Sequence, residues 1–159
     1  MAAGTAFDAI ARHPAFVGLA AADVEQVAAG CENLHLPAGG VLFAEGEESL
    51  YLYVVLHGRL RVTCRAASGV EVVVGESQGG EVVGEMGVID GAPRAATLTA
   101  IGPVEVLQMR GEFLTGLVNG GHPAAAALLR VVRRQLVARI RETDERVDAV
   151  FESCARGGR

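Results

Sequence analysis

"LYLYVVLHGRLRVTC", residues 50–64, holds two runs rich in Val, Leu and Tyr split by a His-Gly pair, and each run has the texture of a β-strand. The same texture extends from Glu32 to Met109, where "VLF", "VEVVV", "ATLTA" and "VEVLQM" are separated by "PAGG", "EGEE", "ASG" and "QGG". Many short strands joined by regularly spaced glycine turns predict a sandwich, barrel or jelly roll. The 21 glycines alternate with β-branched residues and do not cluster, which argues against disorder.

Outward from this block the periodicity changes. From Ala6 to Gly30 apolar residues recur at helical intervals, broken at "HPAF" and restarted at "GLAAADVEQVAAG", so two short helices are expected. After "MRGEFLTGLVNGGHP" a long stretch rich in Ala, Leu, Arg and Glu predicts one long helix starting near Pro123. The predicted fold is mainly β with flanking helices: N-terminal helices over 1–30, a β-roll over 31–110 and C-terminal helices over 111–159. Along the last helix Leu129, Val132, Leu136, Ile140, Thr143, Val147 and Val150 alternate spacings of three and four, a heptad seam. Its first turns are expected to pack on the β-domain and the remainder to pair with a second copy, giving a homodimer. The arginines at 130, 133, 134, 139, 141 and 146 lie mostly off that seam, as a solvated face does.

A chain of 159 residues, half of them apolar, is one ordinary domain with a real core. The net charge of −5 argues against binding an extended polyanion, since that affinity rests on Lys and Arg neutralising phosphates. Cys31, Cys64 and Cys154 are too few and too far apart for a disulfide framework or a paired-cysteine metal site. With no basic start ahead of a long apolar run and no window of eighteen uncharged apolar residues, the expectation is a soluble, cytoplasmic chain without a membrane segment. His13, His35, His57 and His122 are scattered, with no H-x-H pair, so no metal cluster is expected. Neither a G-x-S-x-G elbow nor a Walker loop is present, and the chain is read as a non-enzyme.

One stretch carries chemistry. In "GGEVVGEMGVIDGAPRAATLTA", residues 79–100, Arg94 shares its side of the following strand with Ala96, Leu98 and Ala100. If that set faces the core, so does the guanidinium, and a buried arginine must meet a carboxylate, a set of carbonyls or a bound anion. Ten residues earlier, Gly84 and Glu85 stand at the entry to a short helical turn, where free N–H groups favour an anion and glycine permits close approach. Arg94 can fork two phosphate oxygens and Glu85 can accept hydroxyl donors, which together describe a sugar phosphate.

At these residues the sequence resembles the cyclic nucleotide-binding domain family of bacterial cyclic AMP receptor proteins and protein kinase A regulatory subunits. The family's cassette, G-E followed after a short helix by P-R-A-A-T, stands here as Gly84, Glu85, Pro93, Arg94, Ala95, Ala96 and Thr97. The resemblance covers roughly residues 10–150 and includes "LPAGGVLFAEGE" (36–47) and "LYVVLHGRLRV" (52–62). It implies a double-stranded β-helix, jelly-roll-like, in which Glu85 holds the ribose 2′-hydroxyl, Arg94 holds the cyclic phosphate, and backbone groups around Gly84, Met86 and Ala95 complete the cradle. Ala95, standing where cyclic GMP-preferring members often carry a hydroxyl, favours cyclic AMP over cyclic GMP. Family members touch adenine with polar residues of the last helix; Thr143 and Asp144 are the nearest match, and stacking on Arg139 or Arg141 is the alternative.

The last helix is similar to the dimerisation helix that leads into a helix-turn-helix domain in the receptor transcription factors. The chain ends at Arg159 without such a domain, so no DNA binding by this chain is expected. The reading is a stand-alone cyclic nucleotide sensor that couples ligand to the position of its C-terminal helix and acts on an unidentified effector protein. The alternatives are a regulatory domain like those of patatin-like phospholipases of the neuropathy target esterase type, a truncated receptor-type regulator, a domain that keeps the fold but binds nothing, and, least favoured, a cupin-type enzyme.

Overall fold

The computed structural model describes residues 2–157, and the strands among them form two four-stranded antiparallel sheets. The chain opens with α1 (Ala2–Arg12), a 3-10 turn (Pro14–Phe16) and α2 (Ala21–Ala29). The strands follow as β1 (Cys31–Leu36), β2 (Val41–Phe43), β3 (Tyr51–His57), β4 (Arg59–Arg65), β5 (Glu71–Gln78) and β6 (Val82–Val83). A one-and-a-half-turn helix, α3 (Glu85–Asp90), precedes β7 (Thr97–Ala100) and β8 (Val104–Arg110), and the chain closes with α4 (Gly111–Asn119) and α5 (Pro123–Gly157). One sheet has the order β1-β8-β3-β6, the other β2-β7-β4-β5. This is the mainly β roll with flanking helices that the glycine-punctuated strands predict.

Side-chain alternation builds two cores from one sheet. On β3 and β8, Tyr53, Val55, Val104 and Val106 face inward and meet Phe43, Leu60, Leu98 and Ala100 of the second sheet. Leu52, Val54, Leu107 and Met109 face the other way and pack under Ile10, Phe16, Val27, Leu117 and Leu128 of the helices. Buried on both faces, β3 reads in sequence as the unbroken apolar run "YLYVVL". Strand β4 has one buried face, and there Arg59 and Arg61 flank buried Leu60.

Helix α5 runs for 35 residues, about 52 Å at the usual rise. Pro123 suits its first position, and His122 caps it by accepting the Ala124 N–H at Nδ1 (3.2 Å). Ala124, Ala125, Leu128 and Val132 are buried, and Leu136 packs beside them. One turn on, the Gln135 amide pairs with the backbone of edge strand β6 as a neighbouring strand would: Val82 N–H donates to Oε1 (2.9 Å) and Nε2 donates to the Val82 carbonyl (3.1 Å). The heptad seam expected from Leu129 to Val150 therefore divides. Val132 and Leu136 pack on the domain, but Leu129, a step of about 100° from Leu128, faces outward at 41% exposure. From residue 140 to residue 155 the side chains are exposed, Ile140, Val147, Val150 and Phe151 among them. No helix among the described residues is long and apolar enough to cross a membrane.

Candidate functional site

The site is built on the stretch that leads from β6 through α3 to β7. Gly84 adopts a left-handed conformation (φ +75°) and turns the chain sharply into α3, whose first N–H groups have no partner within the helix. Gly84 also leaves no room for a side chain: a Cβ there would lie 2.6 Å from Arg94 Nη1 and 3.3 Å from the Phe43 ring. Glycine is required twice over, once for its torsion and once for the guanidinium beside it.

Arg94 is buried and its side chain is held by backbone carbonyls. Nη1 donates to the Gly84 carbonyl (2.9 Å) and Nη2 to the Tyr51 carbonyl (2.7 Å), while the guanidinium carbon lies 4.0 Å from the Phe43 ring centroid. Its main chain is fixed as well: the Arg94 N–H donates to Glu47 O and its carbonyl accepts from Gly46 N–H, both at 2.8 Å. Of the three partners open to it on sequence grounds, carbonyls are the ones the chain itself supplies. Desolvation pushes the Arg94 pKa down, against the upward pull of Tyr53, Glu47 and Glu85, yet an arginine remains cationic at neutral pH. The buried Nε–H has no partner.

Glu85, also buried, is the first residue of α3, and its Oε1 accepts from Arg139 Nη1 of α5 at 3.1 Å. Both groups line a cavity of about 310 Å³, of the size that accepts a small ligand. Phe43, Val62, Val74 and Leu98 form its apolar wall; Glu76, Ser77, Glu142 and the α3 turn supply polar groups.

Of the residues singled out in the sequence, Gly84, Glu85, Met86, Arg94 and Ala95 all line this one cavity. Thr143 and Asp144 do not. Thr143 is exposed and turns its hydroxyl back to the Arg139 carbonyl (2.8 Å), and Asp144 is exposed. The reason is helical phase. With Gln135 fixed against β6, Arg139 and Glu142 fall within about 40° of it, whereas Thr143 is turned by about 80° and Asp144 by about 180°. Of the two arginines considered for stacking, Arg139 lines the cavity and Arg141 is exposed outside it. Sequence reasoning missed Phe43, Gln135 and Glu142. The last two left a signal, because Gln135, Arg139 and Glu142 recur at i, i+4 and i+7 as a polar stripe beside the apolar row. Among the described residues no cluster of His, Cys, Asp and Glu could hold a metal ion.

A β-roll that gathers a buried arginine, a buried glutamate and a glycine-turned helix start around one cavity is a ligand-receiving domain. The chain belongs to the cyclic nucleotide-binding domain family, whose description matches residues 33–120. It is 27% identical over 127 residues to a CRP-like cAMP-activated global transcriptional regulator of Mycobacterium tuberculosis, which takes in 80% of this chain and 57% of that protein. It is 38% identical over 92 residues to the lysophospholipase nte1 of Aspergillus oryzae, 58% of this chain but 6% of that enzyme. Its fold matches the crystal structure of a cyclic nucleotide-binding domain from Methylobacillus flagellatus with a TM-score of 0.74 at 22% identity, covering 91% of this chain and 82% of that one.

Proposed function

We propose that the chain is a cyclic nucleotide sensor, that cyclic AMP is its ligand, and that it signals by changing the placement of α5. The observation that carries the reading is the ion pair between Glu85 and Arg139, which joins the cassette to the C-terminal helix across the cavity. In this reading Arg94 receives the cyclic phosphate, and Glu85 accepts the ribose 2′-hydroxyl at the carboxylate that Arg139 otherwise holds. Arg139 and Glu142 then stand at the base in the role first given to Thr143 and Asp144. Ala95 offers no hydroxyl to a guanine, which favours adenine. Ligand shifts α5 only by as much as it binds one placement better than the other. Exposed Ile140, Val147, Val150 and Phe151 support a homodimer through the outer half of α5. A cytoplasmic, non-catalytic role accords with this assignment.

A second reading makes the chain the regulatory part of a larger polypeptide, supported by its spanning 57% of the mycobacterial regulator and 6% of the lysophospholipase. Calorimetric titration with cyclic AMP, cyclic GMP and 5′-AMP tests the assignment. Saturable binding of cyclic AMP, weaker binding of cyclic GMP and none of 5′-AMP is the expected pattern. No heat with either cyclic nucleotide would overturn it.

A further inference from the structure

Arg94 presents an unusual problem of fixation. Among the described residues no carboxylate lies within ion-pair distance of it, and two carbonyls hold two of its five N–H donors. These bonds lie in the plane of the guanidinium, and a side-chain hydrogen bond with Tyr53 joins them. The Phe43 ring adds a support on the flat face, where in-plane bonds resist tilting least. With the guanidinium carbon 4.0 Å from the ring centroid, the cation rests on the negative face of the ring. Phe43 is itself clamped, 6% exposed and stacked on Tyr53 at 5.8 Å and 25°. The missing side chain at Gly84 is what lets ring and cation close up.

We infer that Phe43 is a positioning residue for Arg94: its ring face sets the tilt of the guanidinium and so the direction in which the group meets an incoming phosphate. The inference rests on the cavity being a cyclic nucleotide site. It assigns to a β2 residue outside the G-E and P-R-A-A-T segments a share in phosphate affinity that acts through Arg94, separate from the ring's place in the apolar wall of the cavity.

Two measurements on the full chain test it. Phe43→Leu keeps an apolar side chain but loses the flat face, so cyclic AMP affinity should fall about ten- to thirty-fold, the loss expected when one charge-assisted hydrogen bond to the phosphate is misaligned. Adenosine, which has no phosphate to bring to Arg94, should keep its affinity within about two-fold, and Phe43→Tyr should restore cyclic AMP binding. The second measurement is nitrogen-15 relaxation at Arg94 Nε in the ligand-free protein, which should report lost order in Phe43→Leu and retained order in Phe43→Tyr. Equal losses of cyclic AMP and adenosine, or an Nε as ordered in Phe43→Leu as in the parent, would overturn the inference. If the parent protein binds no cyclic nucleotide, the proposed function fails by itself and the Nε order still decides whether Phe43 positions Arg94.

Discussion

Removing Arg139 should strand a carboxylate. The Glu85 side chain is 5% exposed and that of Arg139 is 43% exposed, so the pair lies between two regimes. Breaking a fully buried pair costs about 3–5 kcal/mol, whereas an exposed one contributes about 0–1 kcal/mol. With the anion buried and the cation half in water, Arg139→Ala should cost the ligand-free protein about 1–2 kcal/mol, or about 2–8 °C in Tm for a chain of this size. The cost belongs to the charge left behind, not to the arginine. In a Glu85→Gln background no charge is stranded, and the same substitution should cost under about 0.5 kcal/mol, as for an ordinary surface change. Chemical denaturation of the four proteins at one concentration closes the cycle, with an expected coupling of about 1 kcal/mol. Saturating cyclic AMP should narrow the gap between the parent and Arg139→Ala, because ribose hydroxyls then share the carboxylate. An equal loss in both backgrounds would refute the reasoning, for it would mean that Arg139 stabilises α5 through something other than Glu85.

Three other expectations are open to direct measurement. Arg94→Ala should weaken cyclic AMP by roughly thirty-fold to several thousand-fold, the cost of truncating one partner of a buried charge pair, and Arg94→Lys should recover only part of it; unchanged affinity in calorimetry would remove Arg94 from the site. His13 accepts the Ala15 N–H at Nδ1, and burial pushes its pKa below the ordinary 6.5. Because the folded protein resists protonating it, stability present above pH 6.5 should be lost as pH falls through the lower folded value, and His13→Asn should flatten that part of a Tm-versus-pH curve. Ile140→Glu should convert a dimer to monomer in light scattering without unfolding the roll; in a parallel, in-register dimer Cys154, two heptads on from exposed Ile140, should cross-link under mild oxidation.

The roll and its cassette were legible because each depends on local pattern. Glycine turns between β-branched runs specify short strands, and Gly84, Glu85 and Arg94 sit within eleven residues whose types allow few other combinations of torsion, charge and burial. Alternation placed Arg94 inward correctly, although it precedes β7 and stands in the loop before it. Contacts across the chain were not legible. Nothing in the local sequence says that a phenylalanine 51 positions before Arg94 lies against it, or that Gln135 caps an edge strand 53 positions away. The heptad pattern found the apolar row of α5 but not its rotation, and a rotation of under one residue decides whether Arg139 or Thr143 reaches the cavity. Leu129 failed for the same reason: period identifies a face, but only docking sets its angle.

That docking bears on how a ligand would reach α5. The helix is tied twice to one four-residue stretch, through Gln135 to Val82 and through Arg139 to Glu85, and between those ties Gly84 gives its carbonyl to Arg94. A phosphate that takes the free donors of Arg94 pulls on the guanidinium that is bonded to the Gly84 carbonyl, and a ribose that draws on Glu85 competes for the carboxylate that Arg139 holds. Both pulls act on Val82–Glu85, where Gly84 already occupies a left-handed conformation with its neighbours packed against it. In the proposed reading these pulls pass from that stretch to α5 through the two ties. Typical couplings of about 1–3 kcal/mol lie within reach of losing one such tie, since a hydrogen bond to a charged group is itself worth about 1.5–3 kcal/mol. In the proposed reading the Glu85–Arg139 tie, made by a half-exposed arginine, gives way first, and the Gln135 tie, backed by buried Val132, holds the base of the helix in place.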